Sequence, residues 1–337
     1  MVSPSCKVSI LGDGGWGTAL GLVSQRKGNP TLLWSAFPDY AKFLGEKREN
    51  QKFLPGIPLP KPLKITADLK EAVDFGDILI LAIPTQFLRN ILHKLKDVNL
   101  SKKILVSVAK GIEKKTFLRP SEVIESILGQ VKLVVLSGPS HAEEVARNIP
   151  TLVVVASKEE PSARIVQEAL GDRRFRIYLQ TDVVGAELGG ALKNVMAIAA
   201  GICDGLGFGD NTKSGLLARG LLEMAKLGIR FGANPNTFFG LSGAGDLMTT
   251  CFSKHGRNLR VGRELGQGKK IKEILAGMEM VAEGVDTSEA VFGLAAKAGV
   301  QLPIMTEVYQ VIFKGKDCSQ AVEDLLARDA REEWKQY

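Results

Sequence analysis

The chain has 337 residues, 45% hydrophobic and 24% charged, with a formal net charge of +7. That length exceeds one ordinary domain and points to two, and the balance is that of a globular protein rather than a disordered or fibrous one. Basic residues are scattered among acids and aromatics make up only 6%, so the charge fits small anionic ligands or solvated surface better than a nucleic-acid stripe.

The N-terminus, Met1 to Cys6, lacks the basic region and apolar core of a signal peptide and runs directly into a strand. No apolar run is expected to be long enough to span a bilayer. Cys6, Cys203, Cys251 and Cys318 are widely spaced with no C-x-x-C pair, which reads as free thiols in a reducing compartment, hence a cytoplasmic protein.

The first strand, Lys7-Val8-Ser9-Ile10-Leu11, turns into Gly12-Asp13-Gly14-Gly15-Trp16-Gly17 and then an apolar helix start. Strand, G-x-G-x-x-G turn and helix in that order form a dinucleotide signature. Gly12 makes the turn, Gly14 lets a pyrophosphate reach the backbone, and Gly17 brings helix and strand together. The free N–H groups of the helix start receive phosphate.

Further strands are expected at Thr31–Trp34, Lys64–Thr66, Ile78–Ala82, Lys103–Val108, Leu133–Leu136, Thr151–Ala156 and Arg176–Leu179. Their apolar runs, alternating with helical patterns, argue a parallel sheet covered on both faces, a Rossmann-type doubly wound α/β domain. Pro55, Pro58 and Pro60 make Gln51–Lys61 an irregular surface excursion. From about residue 183 the pattern turns helical, at Gly185–Cys203, Ser214–Leu227, Asn258–Gln267, Lys270–Ala276, Thr287–Ala296, Met305–Phe313 and Ser319–Leu326. The expected plan is therefore a dinucleotide-binding domain over 1–182 and an all-helical substrate domain over 183–337. No linker marks the junction, which favours an active site there.

Loops at the carboxyl ends of the strands carry Lys110 beside Gly111, and the stretch Ser137-Gly138-Pro139-Ser140-His141-Ala142. Lys110 is either an anion-binding point charge or a solvated loop lysine. Lys193, with Asn194, interrupts an apolar helix. It either snorkels to water or serves as a proton donor to a carbonyl oxygen. Asp246, among small residues, either charge-balances Lys193 or caps a helix. In Lys254-His255-Gly256-Arg257-Asn258, the arginine at a helix start suits a phosphate, or is plain surface. His93, His141 and His255 have no metal-ligand spacing, so no metal is expected.

Together these motifs, with Gly209-Asp210-Asn211-Thr212-Lys213 and Val281-Ala282-Glu283-Gly284-Val285, resemble the NAD(P)-dependent glycerol-3-phosphate dehydrogenases of the bacterial type over nearly the whole chain. The resemblance implies Lys193 as proton donor, supported by Asp246. It implies Lys110, Gly138, Ser140, Asp246, Gly256, Arg257 and Asn258 around the substrate, with Arg257 on its phosphate. For the dinucleotide it implies Gly12, Gly14, Gly15, Trp16 and Gly17 in the turn, then Lys110, Ala142, Arg257, Val281 and Glu283. The implied reaction is reversible reduction of dihydroxyacetone phosphate to sn-glycerol 3-phosphate for glycerophospholipid synthesis, in a homodimer without nucleic acid or membrane insertion.

Three places depart from the family's pattern. Gly15 and Gly256 stand where it commonly has serine. After the second strand, Trp34-Ser35-Ala36-Phe37-Pro38-Asp39 offers no arginine for a 2′-phosphate and no acid at the strand end for a ribose diol. NAD and NADP both stay open, with a lean towards NAD or use of both. Rival readings are a related two-domain reductase of another small ketone or hydroxy acid, such as ketopantoate or a 3-hydroxyacyl substrate, and a non-catalytic dinucleotide sensor.

Overall fold

The computed structural model describes residues 6–253, 256–278, 280–329 and 333. The N-terminal segment before Cys6, and Lys254 and His255 of the glycine-turn motif, lie outside the described residues.

The first part alternates strand and helix. It opens with β1 (Val8–Leu11), α1 (Gly15–Arg26), β2 (Thr31–Trp34), α2 (Pro38–Lys47) and β3 (Lys64–Thr66). Next come α3 (Leu69–Phe75), β4 (Ile78–Leu81), α4 (Thr85–His93), β5 (Ile104–Ser107) and α5 (Pro120–Leu128). It closes with β6 (Lys132–Ser137), α6 (Ala142–Ala146), β7 (Thr151–Ala156), α7 (Glu160–Leu170) and β8 (Phe175–Gln180). All eight expected strands form one sheet in the order β3-β2-β1-β4-β5-β6-β7-β8. Strand order reverses at β1, which pairs with both β2 and β4, Val8 lying opposite Thr31 on one side and Ile78 on the other. The turn after β1 thus stands at the switch point, where such sheets bind ligands. β1, β2, β4 and β5 are buried along their whole length, as strands covered on two faces require.

The expectation of an all-parallel sheet fails at one pair: β7 runs antiparallel to β6, Val135 opposite Ala156. A parallel return needs a crossover that carries the chain back along the strand. The five-residue α6 rises only about 7.5 Å, against roughly 20 Å for a six-residue strand. The chain therefore simply reverses.

The proline-bearing excursion is also more than surface. Leu54, Ile57, Leu59 and Leu63 join the core that holds Val8, Ile10 and Leu20. Asn50, fully buried, ties the loop down. It donates to the Asp13 carbonyl and the Thr18 hydroxyl, both at 2.7 Å, and accepts from the Tyr40 hydroxyl at 2.6 Å and the Phe53 amide at 3.1 Å.

The second part is helical: α8 (Val183–Gly205), α9 (Asp210–Arg230), α10 (Pro235–Phe239), a π-helical turn (Leu241–Gly245), α11 (Asp246–Phe252) and α12 (Arg257–Gly266). After these come α13 (Ile271–Ala276), α14 (Glu283–Ala298), α15 (Pro303–Lys314) and α16 (Cys318–Leu326). By contact the chain forms two compact units, one reaching Ala109 and resuming over Pro120–Glu187, the other comprising Lys110–Arg119 and everything from Leu188 on. The loop bearing Lys110 thus packs with the helical unit.

α8 is apolar all round, which is how a helix at the centre of a bundle reads. Contrary to expectation it is long and apolar enough to cross a membrane, yet 94% of that stretch is buried within the protein. Glu187 near its start accepts from the amide and hydroxyl of Ser121, at 2.7 and 2.6 Å, at the head of α5.

In the helical unit a buried carboxylate plays the same part. Glu223 of α9 accepts the amides of Ile304 at 2.8 Å and Met305 at 3.2 Å, satisfying the first turn of α15. Burial pushes its carboxyl up to about 7, the two amides only partly opposing the rise. A folded value above the unfolded one means that the group's contribution is complete below about pH 4.5 and is lost as pH climbs through 7. Denaturation of the wild type and Glu223→Gln between pH 4.5 and 8 is expected to show the difference in stability drifting by about 3 kcal/mol in favour of the variant. A pH-independent difference would contradict this.

Candidate active site

In the sheet unit, the glycine turn is built as a dinucleotide cradle. Gly12 has φ of +124°, and a Cβ there would run into the Ala82 carbonyl. A Cβ on Gly17 would strike the Gly12 carbonyl and stand 3.0 Å from the Ala82 Cβ, so this close approach of α1 to β1 admits only glycine. Gly14, by contrast, has open space where its side chain would be. It also caps α1 with no side chain hydrogen-bonded to the first-turn amides. Open space above the turn and donors left for an anion are what a pyrophosphate needs. The residues present fit a dinucleotide.

Gly15 is explained by packing: a Cβ there would lie 2.5 Å from the Phe53 carbonyl and 3.6 Å from the Ala142 Cβ. The docked excursion occupies the room a serine would take, and Ala142 stands beside the turn. Trp16 differs. Its ring packs towards Phe175, centroids 6.5 Å apart, with the indole N–H buried and unpartnered. Gly138, at φ of +121°, has its carbonyl bonded by the Ser140 hydroxyl at 2.9 Å.

The helical unit gathers the charged residues. Lys193, 7% exposed in the middle of α8, donates to Asp246 Oδ1 at 2.7 Å and to the Thr250 hydroxyl at 2.6 Å. Lys110 donates to the other oxygen, Asp246 Oδ2, at 2.6 Å. One carboxylate, itself 1% exposed, thereby holds two ammonium groups. Thr250, one turn on in α11, donates its hydroxyl hydrogen bond to the Asp246 carbonyl at 2.7 Å, leaving its oxygen free to accept from Lys193. Asp246 is the first residue of α11 but caps nothing; its charge goes to the lysines. Neither snorkelling at Lys193 nor free solvation at Lys110 survives.

Burial alone would raise the Asp246 carboxyl, but the two lysines pull it below its ordinary value. Burial pushes the Lys110 ammonium down to about 8, with Asp246 opposing and Lys193 adding to the fall. The two lysines and the carboxylate form one largely buried charged cluster.

Asn194, next to Lys193, braces the same centre. Its amide donates to the Lys110 carbonyl at 2.9 Å and accepts from Asn258 at 3.0 Å, and the Asn258 oxygen accepts the Gly284 amide at 3.0 Å. Lys110, α8, α12 and the start of α14 are locked in one chain of bonds. Glu283, opening α14, adds its charge to the field at Lys110. Arg257, exposed at the first position of α12, donates to the Val281 carbonyl at 3.2 Å, and the cap residue Gly256 leaves that helix end without a side-chain acceptor. Arg257 and Val281 are therefore joined, while Gly138, Ser140 and Ala142 belong to the sheet unit with the glycine turn.

One residue with a direct role in this network was not singled out from sequence, Thr250, which accepts from Lys193 at 2.6 Å. Thr250 was findable, since it lies four residues from Asp246 and shares its helix face. Asn194, noted beside Lys193 as a polar residue of an apolar helix, takes its place in the network through Lys110 and Asn258.

A doubly wound sheet with an open glycine turn, followed by a helical unit that buries a lysine pair on one carboxylate, is the construction of a two-unit dinucleotide-dependent dehydrogenase. Residues 7–163 match the N-terminal model of NAD-dependent glycerol-3-phosphate dehydrogenase and residues 182–323 its C-terminal model. A glycerol-3-phosphate dehydrogenase (NAD(P)+) of Chlorobium phaeobacteroides is 45% identical over 97% of this chain and 99% of its own, and one of Thermoanaerobacter is 46% identical over 97% and 98%. The crystal structure of glycerol-3-phosphate dehydrogenase from Coxiella burnetii superposes with a TM-score of 0.93 at 37% identity, over 96% of this chain and 99% of that one. The chain belongs to the NAD-dependent glycerol-3-phosphate dehydrogenase family.

Proposed function

We propose that the protein reduces dihydroxyacetone phosphate to sn-glycerol 3-phosphate reversibly with NADH or NADPH, and so supplies the backbone of glycerophospholipids. The observation that carries this reading is the buried centre in which Asp246 holds Lys110 at 2.6 Å and Lys193 at 2.7 Å. When bound, the dinucleotide supplies the hydride to the ketone carbon. Lys193 donates a proton to the ketone oxygen as negative charge develops there, and takes it back in the reverse direction. Asp246 and Thr250 aim that ammonium. Lys110 offers a second positive charge to the anionic substrate, and Arg257 takes the phosphate with its fork at the uncapped end of α12. Gly138, Ser140 and Asn258 complete the substrate contacts in this reading, and Val281 and Glu283 those to the dinucleotide.

The test follows reduced-coenzyme absorbance with dihydroxyacetone phosphate and, separately, with dihydroxyacetone. Oxidation with the phosphorylated ketone alone is expected. Equal turnover of both would remove Arg257 from the phosphate role, and none with either would leave only a dinucleotide sensor. A homodimer in the cytoplasm, without nucleic-acid or membrane partners, belongs to the same reading on the strength of the family.

A further inference from the structure

In sheets of this kind the adenosine ribose is read at the end of the second strand, about 20 residues past the glycine turn, by a carboxylate for a diol or an arginine for a 2′-phosphate. The strand end here carries neither, and the structure supplies the carboxylate from elsewhere. Ser35, fully buried directly after β2, donates to Asp13 Oδ2 at 2.5 Å, and its oxygen accepts the Phe37 amide at 3.2 Å. Asp13 belongs to the glycine turn itself and is 8% exposed. Its carbonyl is braced by Asn50, so the carboxylate is held at the end of β2.

The exposed residues that follow are Ala36, Phe37, Pro38 and Asp39. None is a cation. Phe37 is 66% exposed, an apolar face rather than a charged one. Pro38 at the head of α2 has no N–H to offer a phosphate, and Asp39 already lays negative charge on that first turn. Farther along, Arg48 is spent on the carbonyls of Leu59, Pro60 and Leu63. Lys52 reaches Asp13 by its charge while standing 5.1 Å over the Phe53 ring. A 2′-phosphate, carrying roughly two negative charges, would meet two carboxylates offset by one lysine. A neutral 2′-hydroxyl meets an acceptor.

We propose that Asp13, held by Ser35, makes this enzyme select NADH over NADPH. The proposal rests on the dinucleotide reading of the glycine turn and adds the choice between coenzymes. The test is calorimetric titration of the full-length protein with NADH and with NADPH, without substrate. The expected dissociation constant for NADPH is at least about tenfold the larger, roughly 1.4 kcal/mol. Asp13→Asn is expected to narrow that gap by tightening NADPH. Ala36→Arg, at an exposed position that folding does not need, is expected to tighten NADPH about tenfold with NADH little changed. Equal or tighter NADPH binding by the wild type, or a ratio unmoved by both substitutions, would overturn the selection while leaving dinucleotide binding intact. Failure of either coenzyme to bind would instead overturn the dinucleotide reading and the selection with it.

Discussion

Replacing Asp246 by asparagine is expected to cost about 3–5 kcal/mol of stability in the helical unit and to remove most activity. The carboxylate is the shared counter-ion of two buried ammonium groups, at 2.6 and 2.7 Å, and a neutral amide balances neither. Breaking a buried pair by removing one partner leaves uncompensated charge, which accounts for the magnitude. Asp246 also raises the Lys110 ammonium against burial. Without it the pH at which Lys110 loses its charge falls below about 8, so substrate affinity at neutral pH should drop and partly recover in more acidic buffer. Urea denaturation together with KM for dihydroxyacetone phosphate at pH 6 and 8 checks both consequences. A variant as stable as the wild type, with an unchanged KM at both pH values, would show that the lysines do not depend on this carboxylate.

Much of the sheet was legible because burial on two faces leaves a local trace. Ile78-Leu79-Ile80-Leu81 can hardly be anything but a covered strand. Direction leaves no such trace, since Thr151–Ala156 reads the same whichever way it runs. The docking of Leu54, Ile57 and Leu59 was hidden for a related reason: their spacing follows neither the period of a strand nor that of a helix. It is Asn50, bonded to four groups distant in sequence or loop, that holds them in the core.

The site was half legible. A lysine and an asparagine inside Gly185–Cys203 stand out because an apolar helix has no ordinary use for them. Asp246 was readable as a partner of Lys193, but its second partner, Lys110, was not. Lys110 and Asp246 are 136 residues apart, and α11 follows Leu241-Ser242-Gly243-Ala244-Gly245, whose two glycines lower its intrinsic tendency to form a helix. That turn is placed by tertiary contact: α8 passes so close that a Cβ on Gly189 would strike the Ser242 carbonyl. One turn later Asp246 comes within reach of Lys193. Propensity could not foresee this approach, because it belongs to the packing of two backbones.

Lys193→Ala carries the largest expected effect on chemistry. Loss of a positioned acid costs on the order of 10²–10⁴ in rate, and the neighbouring Thr250 cannot take its place, since its hydroxyl already donates to the Asp246 carbonyl. Lys110 should remain, with Asp246 to itself and freed of the repulsion that helps to lower it, so substrate would still be attracted. The glycine turn draws on none of these residues, so coenzyme affinity should stay within about twofold.

These consequences separate cleanly in one experiment. Enzyme loaded with NADH is mixed rapidly with saturating dihydroxyacetone phosphate, and oxidation of the bound coenzyme is followed over a single turnover in the wild type and in Lys193→Ala. The centre described here predicts that the variant binds NADH normally and oxidises it on the order of 10²–10⁴ times more slowly. A single-turnover rate near that of the wild type would contradict it, and the proton would have to come from another group.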